Sequence, residues 1–209
     1  MRKLLLLASL PLLAVLAGCS TTDIAIGAGA EVATAASEER GLGQAVDDNA
    51  IAIAVQAQLL NAGTDMLTQV DVSVQEGRVL LTGRVEKPAM RIDAVRRTWE
   101  VGGVKEVIDR IEVNEPVGFG GYVDDLWLAE KLRAILLVDD HVRSINYSID
   151  CVAGTIYLMG IAQSQDELQR VIDHARDVPY VRGVVSYVRL KNDPARQAVP
   201  ASQPTASAS

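Results

Sequence analysis

Nine residues, Gly77-Arg78-Val79-Leu80-Leu81-Thr82-Gly83-Arg84-Val85, return further along the chain as Gly154-Thr155-Ile156-Tyr157-Leu158-Met159-Gly160-Ile161-Ala162. The offset is 77 (160 − 83), and adding it carries positions 47–113 onto 124–190 without a gap. Asp47 lands on Asp124, Asp48 on Asp125, Leu59 on Leu136, Leu81 on Leu158, Val101 on Val178 and Val107 on Val184. Gap-free self-similarity at a fixed period means that one structural unit is built twice. Whatever fold is assigned has to be satisfied by both copies.

Within a copy the hydrophobic period changes from element to element. Asp47 and Asp48 are expected to cap a helix of apolar period that runs through Asn61, where acids satisfy free amides and oppose the helix dipole. Thr68, Val70, Val72 and Val74 then alternate with Gln69, Asp71, Ser73 and Gln75, the pattern of a half-buried strand. Glu76-Gly77 turns tightly into a second strand over 79–85. Lys87-Pro88 opens a second helix, and in the other copy Ser164 with Glu167 has capping-box spacing. This helix is expected to bury Ile92 and Val95, with Trp99 a further candidate, and to stop near Gly102-Gly103. Residues 104–113 return as a third strand. Each copy therefore reads α-β-β-α-β, an α+β two-layer sandwich of roughly 65 residues with both helices on one face of a small mixed sheet, near the lower size at which a domain folds alone.

The flanks differ from the repeats. Arg2-Lys3 precede an apolar run over 4–16, which is a secretory signal too short to span a bilayer. Its end, Leu16-Ala17-Gly18-Cys19, resembles the lipobox of bacterial lipoproteins. That resemblance implies diacylation of the Cys19 thiol, removal of residues 1–18 and acylation of the new amino terminus. Ser20 rather than aspartate follows, which in that family implies sorting to the outer membrane, on its periplasmic face. The alternative is a secreted protein in which Cys19 is incidental. Residues 19–46, rich in Ala, Gly, Thr and Ser, read as a flexible tether; 114–123 read as a linker and 191–209 as a disordered tail.

The formal charge of −7 argues against nucleic acid as a partner and leaves any attraction to anionic lipid to local features. With Cys19 acylated, Cys151 has no intramolecular thiol to pair with. Val74 stands at its position in the first copy, and Ile145, Tyr147 and Ile149 share its strand phase, so it reads as a buried small hydrophobe rather than a reactive thiol.

Taken together, Arg40-Gly41-Leu42-Gly43 leading into Val46-Asp47-Asp48, the two hairpin motifs, Val101-Gly102-Gly103-Val104 and the Pro116-Val117-Gly118-Phe119-Gly120 segment resemble the tandem BON-domain outer-membrane lipoproteins over about residues 40–190. One departure is that Val178-Pro179-Tyr180-Val181 stands where the family turn carries glycine. The resemblance implies a dual-BON protein that binds anionic phospholipid through the first helix of the second copy and supports envelope integrity. No cofactor, small-molecule substrate or catalytic activity is implied.

That helix has two sides. At about 100° per residue, Leu128, Ala129, Leu132, Ile135 and Leu136 form the stripe that should face the sheet, while Trp127, Lys131, Ala134 and Val138 cluster nearly opposite. Their counterparts in the first copy are Ala50, Ala54, Ala57 and Asn61. An aromatic anchor beside a cation suits an interfacial helix, although Asp124, Asp125, Asp139 and Asp140 bracket it. From the residues alone Trp127 either faces lipid or packs on residues 117–122 or on the other domain; the resemblance favours lipid.

A second difference lies on the sheet. Tyr157, Met159, Ile161, Val185 and Tyr187 point away from the helices and need a cover, either the first copy or a protein partner, whereas Leu80, Thr82, Arg84, Ile108 and Arg110 at the same places are more polar. Asymmetric docking of the two copies is therefore expected. His141 beside Asp139-Asp140 reads as a solvated turn and His174 as an exposed helix residue, with no third ligand at metal spacing. No nucleophile elbow or phosphate-binding loop appears. Two functions are left: a lipid-binding envelope lipoprotein, or a periplasmic adaptor that binds another envelope protein through the sheet or helix face of the second domain.

Overall fold

The motif glycines dictate the local geometry from which each repeat is built. In a computed structural model, which describes residues 42–114 and 119–197, Glu76 (φ 56°) with Gly77 (φ 76°) and Ala153 (φ 54°) with Gly154 (φ 75°) form two turns with both central residues at positive φ. Such turns match the right-handed twist of the strands they join. At the far end of each hairpin, a Cβ on Gly83 would lie 2.1 Å from the Gln69 carbonyl oxygen, and one on Gly160 would lie 2.1 Å from that of Asn146. Only glycine allows the chain to enter the hairpin there.

The first repeat comprises α1 (Leu42–Ala62), a short α2 (Thr64–Gln69), β1 (Val70–Gln75), β2 (Arg78–Val85), α3 (Pro88–Trp99), β3 (Glu106–Asp109) and β4 (Glu112–Val113). The second comprises α4 (Phe119–Val138), a 3₁₀ turn (Ser144–Asn146), β5 (Tyr147–Val152), β6 (Thr155–Ala162), α5 (Gln165–Asp177), β7 (Gly183–Ser186) and β8 (Arg189–Leu190), followed by α6 (Pro194–Gln197). β1 and β2 pair antiparallel from Val70↔Gly83 to Gln75↔Arg78, and β3 and β4 run parallel to β2 on its other side. β5 to β8 repeat the pattern. The two sheets are mixed, with helices on one face of each, so the α+β two-layer reading holds.

Several boundaries differ from the sequence expectation. The expected third strand is two strands, interrupted where Ile111 turns into the core and its amide donates to the Asp109 carboxylate at 3.0 Å. α1 starts inside the expected 19–46 tether and α4 inside the expected 114–123 linker, so Asp47, Asp48, Asp124 and Asp125 sit within helices and cap neither. Asp48, 1% exposed, accepts instead from the turn amides of Glu76 and Gly77, both at 2.8 Å; Asp125 accepts from Ala153 and Gly154 at 2.9 and 2.8 Å. A carboxyl drawn away from water needs hydrogen-bond partners, and the turn amides lack ladder partners, so each need satisfies the other. Part of the expected tail is also ordered: in α6, Arg196 clamps Glu76 of the first repeat through Nε at 3.0 and 3.1 Å and Nη2 at 2.8 Å. The expected signal peptide, Cys19 and the rest of the tether and tail lie outside the described residues.

Ile92 and Trp99, expected in the core, are instead 69% and 52% exposed. The face of α3 that turns inward carries Ala94 and Thr98, four apart, and Thr98 is tolerated in the core because its hydroxyl donates to the Ala94 carbonyl at 2.8 Å. His174 is likewise not simply solvated: its Nε2 lies 2.7 Å from Asp139 Oδ2. That bond first, then the backbone amide of His141, holds the Asp139 carboxyl down at about 2.

β2 and β6 are buried on both faces. On one side lie the helix-facing cores, with Val55, Leu59 and Leu81 in the first repeat and Leu132, Leu136 and Leu158 in the second. On the other side the sheets face each other, and Leu80, Ile108, Val152, Tyr157, Met159, Val185 and Tyr187 share one cluster. The order is helices, sheet, sheet, helices. Ser73 donates to Asp150 at 3.2 Å and Arg110 donates to the Tyr187 hydroxyl, and each pair is 77 apart, so these residues meet their own counterparts. β1 touches β6 as β2 touches β5. The expected docking is present, with the first repeat covering the apolar sheet face of the second, but it is close to two-fold at its centre rather than asymmetric; α6 on Glu76 departs from that symmetry. Among the described residues no helix is long and apolar enough to cross a membrane.

Candidate membrane-contact site

α4 takes its orientation from its inner stripe. Leu128, Ala129, Leu132 and Leu136 are buried on the sheet and Ile135 packs at their edge, which turns the positions nearly opposite toward solvent. Trp127 is 47% exposed, Ala134 is exposed and Val138 is 78% exposed. Lys131 Nζ lies 4.7 Å from the centroid of the Trp127 ring, within cation–π range, and has no carboxylate partner among the described residues. The four residues thus share one outward face of the helix.

The other group, Tyr157, Met159, Ile161, Val185 and Tyr187, does not join them. All but Ile161 lie in the interface cluster with the first repeat, and Ile161 is 1% exposed. Cys151 is half-buried, with Sγ 3.4 Å from Asp125 Oδ1, and burial followed by that carboxylate pushes its thiol up to about 12. A thiol so far above neutrality carries almost no thiolate.

Trp127 also forms one wall of a cavity of about 620 Å³ that the sequence reading did not anticipate. Leu128, Asp124, Tyr180 and Arg182 line it from the second repeat and Arg84 from the first. The one available sequence signal was Tyr180, which replaces the glycine found at Gly103 in the first copy. Arg84 was not foreseeable, because its place there depends on how the repeats dock.

A family model described as "BON domain" matches residues 47–115 and 124–192. The chain belongs to the BON-domain family. Among its relatives, the protein of the gshII 5′ region of Anaplasma centrale is 40% identical over 153 residues, covering 73% of this chain and all of that one. Osmotically-inducible protein Y of Escherichia coli (strain K12) is 30% identical over 152 residues, 72% of this chain and 76% of the relative. Outer membrane lipoprotein DolP of Haemophilus influenzae is 29% identical over 142 residues, 67% of this chain and 74% of the relative. The two BON repeats coincide with the internal duplication and meet through the faces of their sheets.

Proposed function

We propose that this dual-BON protein is a non-catalytic lipoprotein of the cell envelope, acylated at Cys19 on the periplasmic face of the outer membrane, that contacts anionic phospholipid through Trp127, Lys131, Ala134 and Val138 of α4 and so supports envelope integrity. The observation that carries this reading is the half-exposed Trp127 with the Lys131 ammonium over its ring, which has no carboxylate partner among the described residues. An indole is held at a bilayer interface by its amphipathic ring, while an ammonium above it meets the phosphates. The relationship to a lipoprotein named for the outer membrane supports the location and the Cys19 anchor. The adaptor reading loses one of its two surfaces, since the sheet face of the second repeat is occupied by the first.

The test uses the full chain carrying Cys19→Ala, so that acyl groups do not contribute, and vesicles of phosphatidylcholine with or without phosphatidylglycerol. Binding is expected only with phosphatidylglycerol and is expected to be lost in Trp127→Glu, with the circular dichroism spectrum unchanged. Equal co-sedimentation of the variant and its parent would refute the reading.

A further inference from the structure

We propose that two copies of this chain pair through the outward face of α3 in the first repeat, laid antiparallel so that Ile92 of each copy meets Trp99 of the other. The proposal does not depend on the membrane-facing reading of α4.

The face itself is the first indication. Ile92 and Trp99 are exposed and lie two turns apart on one stripe of the helix, together with Ala89 and Arg96. The fold does not demand this, because the second repeat places Asp166, Gln169, Asp173 and Arg176 at the same four positions of α5. A face that is wholly polar in one repeat and carries an indole and an isoleucine in the other marks a contact surface.

The charges narrow the occupant. The chain carries a formal charge of −7, so two copies repel each other unless they meet where charge is balanced. α3 provides such a place. Arg91 binds Asp109, Arg96 binds Asp93 and Glu100, and Arg97 binds Asp93, which sets three guanidiniums against three carboxylates. A balanced face offers little to an anionic bilayer or to a strongly charged protein, but it does not oppose its own copy.

Charge also sets the orientation. A parallel pair would bring Glu100 against Glu100 and Arg91 against Arg91. In an antiparallel pair centred between Val95 and Arg96, Ile92 meets Trp99 of the second copy, Arg91 meets Glu100 and Ala89 meets Gly102. The side chains of Arg91 and Glu100 are 42% and 49% exposed, so opposite charges approach at the rim, where they fix orientation more than affinity. Arg96 approaches the two-fold axis, with its own two carboxylates screening it from its copy. A Cβ on Gly102 would meet nothing within 4 Å, so this end of the stripe is open to close approach. The layer order puts α3 and α4 on opposite outer faces of the protein, and pairing therefore leaves Trp127 and Lys131 uncovered. A face of one 12-residue helix falls below the roughly 1,200 Å² of a stable complex, so the pair is weak, with a dissociation constant of about 100 µM.

The test uses residues 20–209, which keep every described residue and leave out the apolar run over 4–16, whose own association would obscure the result. By sedimentation equilibrium without lipid, the average mass is expected to rise toward twice the monomer between about 10 µM and 1 mM. Trp99→Glu, a change at an exposed position, is expected to remain monomeric with an unchanged circular dichroism spectrum, and Trp127→Glu is expected to pair like the parent. Arg96→Cys is expected to form a disulfide-linked dimer on mild oxidation about ten-fold faster than Asp173→Cys, the same position in the second repeat. The parent, which retains the half-buried Cys151, is expected to form none. A parent that stays monomeric throughout, pairing that survives Trp99→Glu, or equal cross-linking at positions 96 and 173 would each overturn the proposal. In Trp127→Glu the remaining tryptophan is Trp99, and its fluorescence is expected not to change with phosphatidylglycerol vesicles. A blue shift there would make α3 a lipid contact and overturn the pairing as its role.

Discussion

α1 and α4 occupy the same place in their repeats, correspond on the inside and differ on the outside chiefly at two positions. Ile51, Val55 and Leu59 correspond to Leu128, Leu132 and Leu136, all buried, and Asp48 and Asp125 each hold a hairpin turn. On the outside Ala50 and Ala54 face Trp127 and Lys131 across the comparison. The first repeat has an exposed indole too, but on its other helix: Trp99 and Ile92 stand where the second has Arg176 and Gln169. Arg96, three residues before Trp99, is bound by Asp93 at 2.5 Å and by Glu100. The contrast teaches that an exposed aromatic alone does not distinguish the repeats. What separates them is an aromatic whose neighbouring cation has no carboxylate partner among the described residues. Buried positions stay alike because changing them costs kilocalories, whereas outward positions are nearly free to diverge, and specialised function is therefore sought among the latter.

The sharpest way to break the comparison is to separate the repeats. Leu80, 1% exposed, is the first repeat's main apolar contribution to the cluster that Tyr157 and Met159 supply from the second. Leu80→Ala is expected to cost about 3 kcal/mol and to turn one cooperative urea transition into two, followed by circular dichroism. A single transition with no loss of midpoint would mean that the repeats do not stabilise each other. The next test compares the two internal acids. Asp48→Ala strands two turn amides, one of them fully buried, and is expected to cost about 2 kcal/mol, whereas Asp125→Ala strands two half-buried ones and is expected to cost about 1 kcal/mol. The reverse order in thermal melts would show that burial does not rank these two bonds.

Local patterns were readable to different depths. The hairpins were legible because period-2 alternation and a turn glycine are both short-range signals, and the repeat offset checked each copy against the other. The inward stripe and the outward face of α4 were equally legible, since one helix settles both. The roles of Asp48 and Asp125 were not: from sequence an acid near an expected helix start looks like a cap, and only the fold brings it to a turn 28 residues away. α3 was misjudged for another reason. Its small inward residues, Ala94 and Thr98, carry little hydrophobic signal, so the larger Ile92 and Trp99 drew the core assignment. Arg84 at the cavity and Ser73 against Asp150 depend on docking, which leaves no periodic trace in a chain.

The smallest expected effect concerns the acids at the junction. Positions 71 and 148 hold Asp and Ser, and positions 73 and 150 hold Ser and Asp, so the repeats carry their strand acids at different sites. Docking brings Asp71 and Asp150 to one cleft, shared with Asp125 and with the guanidiniums of Arg84 and Arg133. Burial and then the Asp150 charge raise Asp71 to about 6 from its ordinary 3.8; burial also raises Asp150, against hydrogen bonds from Ser73 and Thr82 and the pull of Arg133. A carboxyl whose pKa is higher in the folded protein binds more protons there, so its ionisation destabilises the fold. That penalty is absent below pH 3.8, grows between 3.8 and about 6, and is complete above. Because Asp71 lies at the mouth of the cleft with part of its surface in water, the penalty is discounted to about 1 kcal/mol. Asp71→Asn is therefore expected to be more stable than its parent by about 1 kcal/mol at pH 7.5 and equal to it near pH 3.5, measured by urea denaturation at both values. A gain of the same size at both pH values would show that the side chain acts through its shape rather than its charge.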